Sequence, residues 1–258
     1  MKPQAITFFD LDGTLLNEHS QITPAIAEAM AQLKRNNVLP VIATGRTNPE
    51  IEEISQQSGI SSLITMNGQY IQVEGAEVYS DIITTPVIER MLAATKANGH
   101  QLGFYNHRKI RVTGHTENLI AAYEFIHSPV PIIDEDFYLK EPINMLLVLS
   151  EKGPEDEKYL RDFPELRFFR NGPHSIDTIA HDGSKGHGVK KLLEVMGYED
   201  VPTYGFGDGP NDLDLLNACD VKIAMGNAQP QLKALADFVT KENTQGGIIH
   251  ALQEFKLL

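Results

Sequence analysis

Two carboxylates separated by one residue, Asp10 and Asp12, follow the apolar run Ala5-Ile6-Thr7-Phe8-Phe9 in the stretch FFDLDGTLL. Unit charges of like sign 4 Å apart repel by roughly 4 kcal/mol at an effective dielectric of ~20. Such a pair at a strand end is either a solvated polar turn or the beginning of a cation site. Gly13 allows a sharp turn after the pair, and Thr14 can hydrogen-bond back onto it. Three later stretches carry further polar chemistry: Thr44 ends the apolar run of VIATGR, Lys185 lies between glycines in DGSKGHG, and Asp208 follows the apolar strand in GFGDGPND, with Asn211 and Asp212 opening the next helix. Read singly, each is a helix cap or a loop residue. Read together, they offer three carboxylates for a hard cation, and a hydroxyl, an ammonium and helix N-termini for phosphoryl oxygens. Oxygen donors without a His/Cys set at metal spacing point to Mg²⁺ rather than zinc. A calcium loop starting at Asp10 fails because Leu15 and Gln21 stand where Gly and Glu are required, and GFGDGP lacks the third glycine of a dinucleotide fingerprint.

These residues need a scaffold that delivers them to one edge. Thr23-Pro24 reads as N-cap and first residue of a helix with Ile26, Met30 and Leu33 on one face, ending at Asn36-Asn37. Val38 to Ala43 reads as a buried parallel strand, although Pro40 counts against a fully central position. A helix from about Pro49 to Ser58 and a strand at Leu63 to Thr65 continue the alternation, which implies right-handed crossovers and a parallel sheet. From residue 83 to 182 the pattern changes. Helices at Pro86 to Asn98 and Glu117 to Phe125 mix with strands at Gln101 to Tyr105, Lys109 to Thr113 and Ile143 to Ser150. The first pattern resumes with a helix at Gly186 to Met196, a strand at Thr203 to Phe206, a helix at Asn211 to Cys219 and a strand at Val221 to Met225. The predicted fold is therefore α/β, a doubly wound, Rossmann-like parallel-sheet core (1–82 and 183–258) with an inserted α+β domain (83–182). In open sheets of this kind ligands bind at the C-terminal ends of the strands.

Composition sets further bounds. A formal net charge of -13 argues against nucleic acid or an anionic membrane as the main partner, so a phosphate ligand must be drawn in locally. The single cysteine, Cys219, excludes an intramolecular disulfide and reads as a buried apolar filler. No apolar stretch approaches the ~18 residues of a membrane span, and the N-terminus enters a strand without a signal-peptide pattern, so a cytoplasmic location is expected.

The segments FFDLDGTLL, VIATGR, SKG and FGDGPNDLDLL, with the tail AMGNAQPQLKALADFVTKENTQGGI, resemble the haloacid dehalogenase-like phosphatases, specifically the Cof-type subgroup with a large α/β cap (C2B-type) between the second and third motifs. The resemblance implies a Mg²⁺-dependent phosphatase of small phosphorylated metabolites, such as sugar phosphates or phosphorylated cofactors, working as a monomer or homodimer. It implies that Asp10 is the nucleophile, forming an aspartyl-phosphate, and that Asp12 protonates the leaving alcohol and activates water. The metal would be held by the Asp10 and Asp208 side chains and the Asp12 carbonyl, with Asp212 in support. The phosphoryl group would be held by Thr44, Lys185, Asn211 and backbone N–H groups at Leu11, Asp12 and Gly45. Arg46 is a candidate for the substrate side, for tying core to cap, or for a salt bridge. Pro210 stands where many members carry Glu, and His181 and Asp182 are read as loop structure. In the cap, Tyr105, Asn106, His107, Arg108, Arg170 and Asn171 are candidates for substrate contact. Two other readings share these motifs: a sugar phosphomutase using the same intermediate, and a non-catalytic sensor of a phosphorylated ligand.

Overall fold

A computed structural model describes residues 2–126, 128–170 and 172–258. In chain order the first elements are β1 (Ala5–Phe9), α1 (Pro24–Arg35), β2 (Val38–Ala43), α2 (Asn48–Ser58), β3 (Ser62–Thr65), β4 (Tyr70–Val73) and β5 (Ala76–Ser80). There follow α3 (Thr85–Ala97), β6 (Gln101–Tyr105), β7 (Ile110–Val112), α4 (Glu117–Phe125), α5 (Phe137–Lys140), β8 (Met145–Leu149), α6 (Glu155–Asp162), β9 (Leu166–Phe169) and β10 (Ser175–Ala180). The chain ends with α7 (Lys185–Met196), β11 (Thr203–Gly207), α8 (Leu213–Asn217), β12 (Val221–Ala224), α9 (Pro230–Leu235), β13 (Phe238–Val239) and α10 (Gly247–Glu254). It divides into two compact units, one formed by the chain up to Arg46 with Ile51–Tyr79 and Ser184–Leu258, the other by Thr47–Glu50 and Ser80–Gly183.

In the first unit an eight-stranded sheet runs in the order β13-β12-β11-β1-β2-β3-β4-β5. The six strands from β13 to β3 pair in parallel, and β4 joins β3 antiparallel. The alternation of β1 decides how both faces are covered. Ala5 and Phe9 enter a cluster with Met30 and Leu33 of α1 and Ile248 and Leu252 of α10, whereas Ile6 and Phe8 enter a second cluster with Val189 and Leu192 of α7 and Leu215 of α8. Each of these aromatic or branched side chains contributes roughly 1.5–3 kcal/mol on burial, so a strand apolar on both faces belongs in the middle of the sheet. Strand order reverses between β1 and β11, which places the crevice of the fold beyond their C-terminal ends.

The second unit is a five-stranded sheet in the order β7-β6-β8-β10-β9, antiparallel at every pairing, with Leu102, Phe104, Leu146 and Val148 packed against Ile88 and Met91 of α3 and Tyr159 of α6.

Three expectations are corrected. Pro40 lies in an interior strand, between β1 and β3, because pairing with β3 begins only at Val41 and no partner on that side needs the missing N–H. The helix after β11 is shorter than Asn211 to Cys219: Pro210–Asp212 forms a separate 3₁₀ turn, and α8 ends in tight bonds such as Cys219 N–H to Leu216 O, 3.1 Å. The strands β4, β5, β9 and β10 have no counterpart in the sequence reading. Cys219 is buried against Gly205, in keeping with an apolar filler.

Helix α7 carries Lys185 at its first position after the N-cap Ser184, whose Oγ accepts the His187 N–H at 3.0 Å. Its first turn approaches its neighbours through two glycines. A Cβ at Gly186 would collide with the backbone carbonyl of Asp214, and one at Gly188 with Ile64 and the Cα of Gly68. Helix propensity alone says that Gly186→Ala stabilises by about 1 kcal/mol. The collision is with backbone, which yields little, so the expected outcome is instead a loss of about 2 kcal/mol. Urea unfolding of the two proteins measures this, and a midpoint that is unmoved or raised would refute the close approach.

Candidate active site

The β1 strand hands over to Asp10, whose backbone stays extended and whose N–H bonds to Phe206 O of β11 at 3.1 Å. The chain then makes a wide turn over Leu11–Leu15, closed by Leu15 N–H to Asp10 O (3.2 Å) and Leu16 N–H to Leu11 O (3.0 Å). Gly13 has φ +80°, and any side chain there would strike the Asp208 carboxylate. Thr14 does not bond back onto its own turn. Its hydroxyl donates across the crevice to Asp208 Oδ1 at 3.1 Å. From the C-terminal segment Asn227 Nδ2 donates to Gly13 O at 2.8 Å, and Asn243 Nδ2 to Leu16 O at 2.8 Å.

Lys185 crosses to this turn from α7 and is 1% exposed. Its Nζ donates to Asp10 Oδ1 at 2.5 Å and to Asp212 Oδ1 at 2.7 Å. The other oxygen of Asp212 accepts the backbone N–H groups of Asp208 and Gly209, both at 3.0 Å. Asp212 thus holds the lysine with one oxygen and shapes the loop of Asp208 with the other. Burial alone would lower the Lys185 pKa, but Asp10 and Asp212 outweigh it and raise it, so the ammonium keeps its proton. Burial, then the repulsion of Asp212, pushes Asp10 up to about 8 against the pull of Lys185. Asp208 is pushed up to about 6 by burial and by Asp212, while Thr14 pulls it down.

Carboxylate oxygens of Asp10, Asp208 and Asp212 lie within 4.8 Å of one another. With all three carboxylates ionised, the one ammonium leaves a formal charge of -2 in a largely buried place. A divalent cation offsets that charge, and an all-oxygen donor set suits Mg²⁺. The donor chemistry therefore fits the metal, with Asp10 and Asp208 free to offer oxygens and Asp212 already committed to Lys185 and the loop.

Thr44 ends β2, which pairs with β1 in the register Phe9↔Ile42, so the residues after both strands open at the same edge. Its N–H bonds to Ile64 O at 2.9 Å, and its Oγ1 accepts the Arg46 N–H at 3.1 Å, leaving the hydroxyl proton for a ligand. Arg46 sits on Asp12: Nε donates to Oδ2 at 3.0 Å and Nη2 to Oδ1 at 2.5 Å. Asp12 itself is exposed, in contrast to the buried Asp10. Asn211 is exposed in the Pro210–Asp212 turn.

In the second unit most candidates for substrate contact are occupied in building the unit. Tyr105 is buried with its hydroxyl 2.5 Å from that of Tyr123. Asn106 brackets the β6–β7 turn, accepting from the N–H groups of Arg108 (2.9 Å) and Lys109 (2.8 Å) and donating to Glu141 Oε2 (3.1 Å) and Pro142 O (3.2 Å). Arg170 forms a two-pronged pair with Asp156, 2.7 Å at each prong, and donates to Ser150 O at 2.9 Å. His107 is half-buried and Arg108 exposed at the tip of that turn, while Asn171 lies outside the described residues. Sequence reasoning missed the segment Met66-Asn67-Gly68, which reaches Thr44 and Gly45. Its only sequence signal is the Asn-Gly pair after an apolar strand.

The profile of the haloacid dehalogenase-like hydrolases matches residues 7–252. YkrA of Bacillus subtilis (strain 168) is 33% identical over 254 residues, 98% of each chain. A solved structure from Geobacillus kaustophilus HTA426 is 34% identical and superposes with a TM-score of 0.93 over 99% of this chain and 100% of that one. The subclass IIB sugar phosphatase BT4131 is 27% identical with a TM-score of 0.82, covering 98% of this chain and 100% of its own. On its profile, its fold and its relatives, the chain belongs to the haloacid dehalogenase-like hydrolases, in the Cof-type branch, and is an enzyme of that superfamily.

Proposed function

We propose that the protein is a Mg²⁺-dependent phosphatase that hydrolyses small phosphomonoesters, sugar phosphates or phosphorylated cofactors, through an aspartyl-phosphate on Asp10. The observation that carries this reading is the buried Asp10–Lys185–Asp212 cluster beside Asp208, at the crevice edge of the sheet. The likeness to a sugar phosphatase supports the substrate class. Asp10, Asp208 and the Asp12 carbonyl would hold Mg²⁺, which when bound neutralises charge on the phosphoryl oxygens.

In the first half-reaction a carboxylate oxygen of Asp10 bonds to phosphorus as the ester P–O bond breaks, and Asp12 gives its proton to the departing alcohol oxygen. In the second, Asp12 takes a proton from water. The water oxygen attacks the aspartyl-phosphate, phosphate leaves, and the Asp10 carboxylate is regenerated. Lys185 opposes the charge of the phosphoryl group, and the Thr44 hydroxyl and the backbone N–H groups of Leu11, Asp12 and Gly45 orient its oxygens, with Asn211 at the rim. Asp12 presents both oxygens to Arg46 here, so it must leave the guanidinium to move protons. The inserted segment 83–182 acts as the cap that chooses the leaving group.

Phosphate release from a chromogenic ester with Mg²⁺ is the direct test. Wild-type protein should turn over and Asp10→Asn should lose activity by at least ~10³-fold. Full activity in that variant, or an inert wild type across a broad phosphomonoester panel, defeats the reading.

Arg46 supplies a second test. Its fork fixes Asp12 in a way a lysine cannot, so Arg46→Ala and Arg46→Lys should both lower kcat by about tenfold with little change in KM. Retention of wild-type kcat by the lysine variant would show that charge alone suffices.

The raised carboxylates make stability depend on pH. Between the unfolded value of 3.8 and folded values of about 8 for Asp10 and about 6 for Asp208, the folded state holds protons that the unfolded chain has released. Stability of metal-free protein therefore falls as pH rises through this window. Mg²⁺ should offset the loss, so the rise in Tm on adding Mg²⁺ grows from about pH 5.5 to about pH 8.5. Thermal melts in chelator and in Mg²⁺ measure it, and a rise that shrinks with pH would refute the assignment.

A further inference from the structure

The segment Met66–Gly68, between β3 and β4, holds three consecutive residues in the left-handed region: φ is +51° at Met66, +54° at Asn67 and +92° at Gly68. Glycine bears this without cost and asparagine at modest cost, but for methionine it is strained, on the order of 1–3 kcal/mol. Strain of this size persists only where the surroundings over-determine it, and here they do. Met66 N–H bonds to Arg46 O and Asn67 N–H to Thr44 O, both at 3.0 Å. These bonds tie the Thr44–Arg46 turn to the segment at two points, and Thr44 N–H to Ile64 O at 2.9 Å ties it to β3 at a third.

The Asn67 side chain is 5% exposed, and its amide lies against Gly45, where a Cβ would come within 3.2 Å of both Nδ2 and Oδ1. On the other side Gly68 packs on the start of α7, where a Cβ would collide with Ser184 O and fall 3.0 Å from Gly188 N. The segment is therefore wedged between the turn carrying Thr44 and Gly45 and the helix turn carrying Lys185.

We propose that Asn67 is a positioning residue of the phosphoryl-binding cradle: its left-handed backbone and buried amide fix the Thr44–Gly45 turn at a set distance from Lys185. The inference rests on the phosphatase reading, because it assigns Thr44, Gly45 and Lys185 a shared ligand. A cradle loosened by an ångström loses much of its grip on a phosphoryl group while the proposed metal ligands, just beyond β1 and β11, are untouched.

Asn67→Gly separates positioning from folding, since glycine relieves the backbone strain at that residue and keeps the main-chain bonds while removing the amide. Asn67→Asp is the second variant, similar in shape and tolerant of the left-handed region, but placing negative charge beside Gly45. The probe is inorganic phosphate, titrated calorimetrically into protein saturated with Mg²⁺, with Mg²⁺ affinity and Tm measured in parallel. Expected is a loss of phosphate affinity of roughly tenfold for Asn67→Gly and more for Asn67→Asp, with Mg²⁺ affinity unchanged. Wild-type phosphate affinity in either variant overturns the proposal, as does an equal loss of phosphate and Mg²⁺ affinity, which would mark a general structural role. A wild-type protein that binds no phosphate overturns the function reading and this inference with it, so the two failures are told apart by the control.

Discussion

The ammonium of Lys185, enclosed by Asp10 and Asp212, is the charge on which the remaining site depends. Without it, Asp10 and Asp212 would face each other and Asp208 with no cation from the protein, an arrangement that carboxylates resolve by protonation or by unfolding. Removing one partner of a buried ion pair costs about 3–5 kcal/mol because the other charge is stranded. Here two carboxylates would be stranded at once. Lys185 can reach them because Gly186 and Gly188 let the first turn of α7 press on α8 and on the end of β3. With all three carboxylates ionised, one ammonium leaves two negative charges unbalanced, and an all-oxygen donor set of that charge suits a divalent cation.

The chemistry was legible in the sequence because it is local: each motif ends a strand, and the alternation of apolar β-runs with amphipathic helices sends strand ends to one edge. Phe8 and Phe9, apolar neighbours in β1, lie on opposite faces of the sheet, and both faces are covered. What could not be read is which side chain meets which across long separations. Thr14 reads as a residue that closes its own turn, yet it bonds to Asp208, 194 residues away. Arg46 reads equally as a substrate contact, a core-to-cap tie or a salt bridge, and only the fold shows that it grips Asp12. Neither choice leaves a trace in local periodicity, since it follows from which strands become neighbours. The missed strands β9 and β10 have a similar cause: LRFF and SIDTIA mix charged and polar residues with apolar ones, and only pairing, β10 with β8 and β9 with β10, selects the extended form.

The two carboxylates of the opening motif are kept apart in environment, and this separates their chemistry. Asp10 is buried, tied to Lys185 and raised in pKa by its surroundings, so without a cation it holds its proton more firmly than a free carboxyl. Asp12 is exposed and held by a planar guanidinium that can release it. The two-pronged bond at the surface orients the Asp12 carboxylate without enclosing it. Gly13 turns the chain after both carboxylates, and its missing side chain is where Asp208 sits.

A chain that leaves the first unit after Tyr79 and returns at Ser184 must still bring Lys185 to Asp10, 175 residues away. The cost of that detour is small. Loop-closure entropy grows with the logarithm of length, about 0.6 kcal/mol for each doubling, so an insert of this size is a minor charge against the burial it interrupts. The return point is also well chosen: Ser184 caps α7 and packs its carbonyl on Gly68, at the end of the same β-segment system from which the chain departed. The second unit has its own sheet and its own apolar cluster, and spends Tyr105, Asn106 and Arg170 on holding itself together. Its sequence is therefore free to change while Asp10, Asp208, Thr44 and Lys185 stay fixed by the first, so the motifs make the reaction type legible in the chain and leave the substrate illegible.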